Sequence, residues 1–94
     1  MTHLLLHKKR IHEDGAIEES IVWIVPKSSK NPDGVRYRLA FIIKGAKKPS
    51  VLYDNHHPKG HHKHIGPNEI PYDFSSIERL LTDFDRDVEE VKIR

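Results

Sequence analysis

At 94 residues the chain has material for one domain with a single modest core, and its 36% apolar and 32% charged residues suit a folded protein rather than a disordered one. The absence of cysteine excludes a disulfide framework, a thiolate metal site and cysteine nucleophile chemistry, and no segment approaches the ~18 apolar residues needed to span a bilayer. The net charge of +2 hides an asymmetry: residues 1–64 carry 12 Lys/Arg against 6 Asp/Glu, whereas residues 65–94 carry 4 against 8, so an anionic partner would meet the first two thirds.

The N-terminal "MTHLLLHKKRIH" lacks the apolar region and the small-residue cleavage site of a signal peptide, which makes the cytoplasm the expected location. "LLLHKKRIHEDGAIEESIVWIVP" reads as a hairpin. Asp14-Gly15 is a favoured two-residue turn, with a first strand over about residues 4 to 12 and a second over about 16 to 25. Ile21 to Val25 is apolar at every position, which predicts a central strand buried on both faces or packed under a helix. After the turn residues Asn31-Pro32-Asp33-Gly34, "VRYRLAFIIKG" alternates. Val35, Tyr37, Leu39, Phe41 and Ile43 point one way, with Arg36, Arg38, Ala40, Ile42 and Lys44 on the other. The same periodicity assigns Tyr37 and Trp23 to the core. "VLYDN", about residues 50 to 54, is a short fourth strand, and the chain then continues through Gly66, Pro67 and Pro71 as loop. Ser75 is placed to cap a helix over about residues 76 to 92, with Glu78 at capping-box spacing. Ile77, Leu80, Leu81, Phe84, Val88 and Val91 form its apolar stripe. The expected fold is a single α+β domain over residues 1–94, an antiparallel sheet of about four strands packed against a C-terminal helix.

The loop "HHPKGHHKH" places five histidines between His56 and His64. Three readings of it are open. His62-Lys63-His64 is a short chelating pair that Asp54 would complete as a metal site. Metal-free RNA cleavage is the second reading: it needs a base for the 2'-hydroxyl, an acid for the leaving oxygen and cations for the phosphate, and histidine serves both proton roles near neutral pH. The third is a solvated polar loop whose histidines cap turns or meet an acidic partner.

"AIEESIVWIVP", "RYRLAFIIKG", "LYDNHHPKGHHKHIG" and "PYDFSSIERLLTDFDRDV" together resemble, in order and spacing over about residues 15 to 90, the TumE-like toxin family of bacterial and archaeal toxin-antitoxin systems. The resemblance rests most on the "YDN", Lys-Gly and His-x-His elements, and carries over Tyr53, Asp54, Asn55, Lys59, Gly60, His62, His64 and Arg38. Where the family usually has an acid, arginine and glycine after "YDN", this chain has His56, His57 and Pro58; where an aspartate commonly follows Lys-Gly, it has His61.

The resemblance implies a small cytoplasmic toxin of a type II pair, encoded beside a helix-turn-helix antitoxin. Joined to the histidine chemistry, it gives the expectation of a metal-independent endoribonuclease with no cofactor. His62 and His64 would exchange protons with substrate, oriented by Tyr53 and Asp54. Arg36, Arg38, Lys59 and Lys63 would bind phosphate, and Gly60 would let the backbone approach the RNA. The alternatives are a module that binds RNA, the ribosome or the antitoxin without cleavage, and a metal-dependent nuclease built on the same loop.

Overall fold

The computed structural model describes residues 2–93. They form β1 (His3–Ile11), β2 (Ile17–Ile24), β3 (Val35–Ile42), β4 (Val51–Asp54), β5 (His62–Ile65) and β6 (Asn68–Pro71), followed by α1 (Ile77–Lys92). The strands lie in one antiparallel sheet whose spatial order is the chain order. The antiparallel sheet and the C-terminal helix agree with the sequence pattern, but there are six strands rather than about four.

The two additional strands come from the stretch read as loop. At four residues each, β5 and β6 are too short for alternation to stand out, and pairing with β4, from Val51↔Ile65 to Asp54↔His62, defines β5. Gly66-Pro67 then joins paired Ile65 and Asn68, with Gly66 at a φ of +57° as the first position of a primed hairpin turn demands. The first hairpin turns at Asp14-Gly15, but through a three-residue loop rather than a two-residue one: His12 N donates to Ala16 O at 2.8 Å, His12 O accepts from Gly15 N at 2.9 Å, Asp14 Oδ1 accepts from Ala16 N at 3.0 Å, and only Gly15, at a φ of +88°, is left-handed.

One face of the sheet packs on α1. Val22, Tyr37, Leu39, Phe41, Val51 and Tyr53 alternate inward from the strands and meet Leu80, Phe84 and Val88 of the helix. Each such aliphatic or aromatic side chain removed from water contributes about 1.5–3 kcal/mol. The helix begins one residue later than the capping-box reading requires. Ser76, extended at φ −157° and ψ 162°, is the N-cap and accepts from Arg79 N at 3.1 Å. Arg79 therefore occupies the third helical position, and Glu78 acts instead as a first-turn carboxylate facing the helix dipole.

Among the described residues no helix lies over the opposite face, and this corrects the reading of "IVWIV". Val22 is fully buried beneath α1, but Trp23, its neighbour on the other side of the pleat, is 39% exposed. An unbroken apolar run hides which residues face which way. Only the register, Trp23↔Arg36 and Ile21↔Arg38, places Trp23 beside the arginines of β3.

Candidate active site on the open face of the sheet

Pairing across the open face makes a lateral row of Ile21, Arg38, Asp54 and His62, one from each strand from β2 to β5. A second row holds Leu52, His64 and Glu69, and Trp23 pairs with Arg36 at the first row's end. Trp23, Arg36, Arg38, Asp54 and His56 line a shallow groove there. Among the described residues, neither Arg36 nor Arg38 is engaged in an ion pair, so both guanidinium groups are available to an anion.

The histidines divide by environment. His62 is 9% exposed, and its Nδ1 lies 2.9 Å from the carbonyl oxygen of Gly60. A carbonyl only accepts, so Nδ1 carries the proton and a neutral ring keeps its lone pair on Nε2. Gly60 supplies that carbonyl from a φ of +73°, and no atom stands within 4 Å of where a Cβ would be, so the backbone angle is what favours glycine here. His64 meets the His62 ring edge-on with centroids 5.1 Å apart, and its Nε2 lies 3.6 Å from Glu69 Oε1. Lys59 Nζ donates to the same Glu69 oxygen at 2.5 Å and, as the largest influence, holds the Glu69 carboxyl below its ordinary range.

His61 faces the helix side and is structural. Its ring stacks on Phe74 at 4.7 Å, its Nδ1 accepts from the Tyr37 hydroxyl at 2.8 Å, and its Nε2–H donates to Asp33 at 2.7 Å. Thus the histidine directly after Lys59-Gly60 is tied to Tyr37 and Phe74, while His56 and His57 lie exposed on the loop. Asp54 Oδ1 accepts from His56 N at 2.6 Å, which closes an Asx turn at the end of β4.

Tyr53 and Lys63 are not brought to His62 and His64. They belong to the alternate set of β4 and β5 side chains and face α1, where Tyr53 is fully buried and donates to Asp87. Lys63 Nζ lies 3.0 Å from the same carboxylate. Burial above all, then the bond to Asp87, raises the pKa of Tyr53 far above its ordinary value, so its phenol stays protonated.

Sequence reasoning missed the part that three residues play in this region. Trp23 was hidden in an apolar run and Glu69 in a supposed loop. Asn55, 6% exposed, extends the β3–β4 ladder with its side chain: Oδ1 accepts from Tyr37 N at 3.0 Å and Nδ2 donates to Val35 O at 2.8 Å. The "YDN" motif therefore divides its labour among helix-side packing, the open face and the end of the sheet. A short polar residue directly after an alternating strand is the only local hint of Asn55's part.

Fold and face together define a small α+β protein with a histidine- and arginine-bearing sheet surface that its helix leaves uncovered. The family model described as Toxin TumE matches residues 2–92, and the chain belongs to that toxin family. No curated protein and no solved structure gives a match. Among the described residues, no helix is long and apolar enough to cross a membrane.

Proposed function

We propose that the protein is the toxin of a type II pair and a metal-independent endoribonuclease that acts in the cytoplasm on single-stranded RNA. The observation that carries this reading is the gathering of Trp23, Arg36, Arg38, Asp54, His62 and His64 on one uncovered face of the sheet. Each part of a metal-free phosphodiester cleavage then has a candidate. His62 Nε2, with its lone pair fixed by the Gly60 contact, takes the proton of the 2'-hydroxyl. The 2'-oxygen attacks the adjacent phosphorus, and protonated His64 gives its proton to the departing 5'-oxygen, leaving a 2',3'-cyclic phosphate. Arg38 neutralises charge on the phosphoryl oxygens, and Arg36 holds a neighbouring phosphate. Trp23 offers a flat face for a base, which a splayed single strand presents and a duplex does not.

Asp54 steadies the start of the loop from beside His62, and Lys59 stands at the rim, where it orients Glu69 and through it His64. Tyr53 and Lys63 serve from beneath the sheet, fastening α1 to β4 and β5. The antitoxin, a helix-turn-helix protein in this reading, silences the toxin by covering the basic face with an acidic or apolar segment.

The test is incubation of purified, antitoxin-free protein with end-labelled single-stranded RNA, with and without EDTA, beside folded His62→Gln and His64→Gln proteins. Cleavage that resists EDTA, ends in a cyclic phosphate and falls by about 10²–10⁴ in either variant is expected. Undiminished toxicity and cleavage in His64→Gln would remove the acid-base mechanism, whereas RNA binding without any cleavage would leave a blocking module.

A further inference from the structure

We propose that His62, His64 and Glu69 form a site for a borderline divalent cation such as Zn²⁺, and that its occupancy switches the open face off. The inhibitory half of this proposal rests on the acid-base reading above; the binding half does not.

The ligand atoms of these three residues lie within 4.8 Å of one another. Their placement follows from strand geometry. His62 and His64 are two apart on β5 and so share a face, and Glu69 pairs with His64 across the β5–β6 ladder. The sequence offered Asp54 as the third ligand, but Glu69, across the hairpin, is the carboxylate that the structure brings into range. Bonds of about 2.0–2.2 Å to zinc require the three side chains to close in by small rotations. Glu69 is released when Lys59 swings away, and Lys59 is 59% exposed, so breaking that pair costs little.

Two features favour metal over a chance grouping. The Nδ1–H of His62 already donates to the Gly60 carbonyl, the outer contact that fixes a ligating imidazole in the required tautomer. Two imidazoles and one carboxylate also suit zinc better than magnesium or calcium, which prefer oxygen ligands. Three protein ligands leave the fourth tetrahedral position to water.

Binding consumes the groups that the proposed reaction needs. A lone pair donated to zinc no longer accepts the 2'-hydroxyl proton, and a ligated His64 nitrogen carries no proton for the leaving oxygen. The bound protein would be a stable but idle toxin, reactivated when the cation is withdrawn.

The experiment is calorimetric titration of tag-free, EDTA-stripped protein with Zn²⁺, repeated with Co²⁺ for its absorption spectrum. Glu69→Gln, His64→Gln and a His56→Gln/His57→Gln double variant are titrated alongside, with circular dichroism verifying each fold. The site predicts one equivalent of zinc, affinity at least about tenfold weaker in Glu69→Gln and His64→Gln, and unchanged affinity in the double variant. A tetrahedral cobalt spectrum that disappears in Glu69→Gln would support it. Binding that survives Glu69→Gln, or that is lost only in the double variant, overturns the site in favour of adventitious loop binding. In the RNA assay, zinc should stop cleavage at the concentrations that fill the site, with EDTA restoring it. Cleavage unchanged or accelerated at full occupancy overturns inhibition, and acceleration would instead mark a metal-dependent nuclease. If RNA is cleaved under no condition, the ribonuclease reading and the inhibition fall together, while the titration still decides the site.

Discussion

The phenol of Tyr53, fully buried under α1, donates its proton to the carboxylate of Asp87, which Lys63 also approaches at 3.0 Å. A tyrosine of the loop-side motif is thus bonded to the helix motif 34 residues later. Tyr53→Phe keeps the ring but leaves one Asp87 lone pair without its partner. The expected loss is about 1–3 kcal/mol of folding free energy in urea denaturation, with RNA cleavage per folded molecule unchanged. A variant of undiminished stability but no cleavage would reassign Tyr53 to the chemistry.

Trp23 is the only tryptophan of the chain, which makes its fluorescence a direct report on the groove. A stacked base should quench it, and Trp23→Ala should weaken binding of a short RNA by about 1–3 kcal/mol per stacked base. Arg38→Ala should weaken all sequences alike and lessen the salt dependence of the affinity by about one unit of log–log slope. Unquenched emission with saturating RNA would place the nucleic acid elsewhere.

Asn55 substitutes for the backbone where β4 ends, serving both Tyr37 N and Val35 O. Asn55→Ala leaves two buried main-chain groups to find water, at about 1–3 kcal/mol each. Asn55→Asp retains the acceptor but sets a carboxylate oxygen against the Val35 carbonyl, so it should also destabilise at neutral pH. Hydrogen exchange at the Tyr37 amide, faster in both variants, is the local check.

Asp83 is buried on the inner side of α1, which by itself raises its pKa. The Tyr72 hydroxyl at 2.6 Å and the Arg79 and Arg86 guanidinium groups outweigh that effect and hold the carboxyl below its ordinary range. The contribution of a depressed carboxylate is complete above the unfolded value of about 3.9 and disappears as pH falls through the lower native value. Stability should therefore decline on acidification below about pH 5. Asp83→Asn should be less stable at neutral pH and have a shallower acid limb. Added salt should trim the effect only partly, since Arg79 and Arg86 are 64% and 51% exposed while Tyr72 donates directly.

The alternation of Val35 to Ile43, the Asp14-Gly15 turn and the helical stripe from Ile77 to Val91 were enough to specify an antiparallel sheet and a C-terminal helix. Each is a local regularity, a period of two or of 3.6 or a turn dipeptide, and such signals survive in one dimension. Arg36, Arg38, His62 and His64 were legible as candidates for the same reason, since their residue types are concentrated where a strand ends or alternates.

The tertiary structure decided what these residues stand beside. That His62 and His64 face the open side while Lys63 between them meets Asp87 of α1 depends on the pairing of β5 with β4, and a slip of one residue would exchange the two sets. The β4–β5 pairing thus turns Lys63 away from its histidine neighbours toward Asp87, the β2–β3 pairing sets Trp23 beside Arg36, and the β5–β6 pairing carries Glu69 to His64. None of this is encoded in spacing alone, because strand neighbours are fixed by hydrogen bonds between segments distant in the chain. Composition and periodicity determined the elements and the supply of imidazole and guanidinium, whereas register, which only the folded sheet defines, determined which of those groups share a surface.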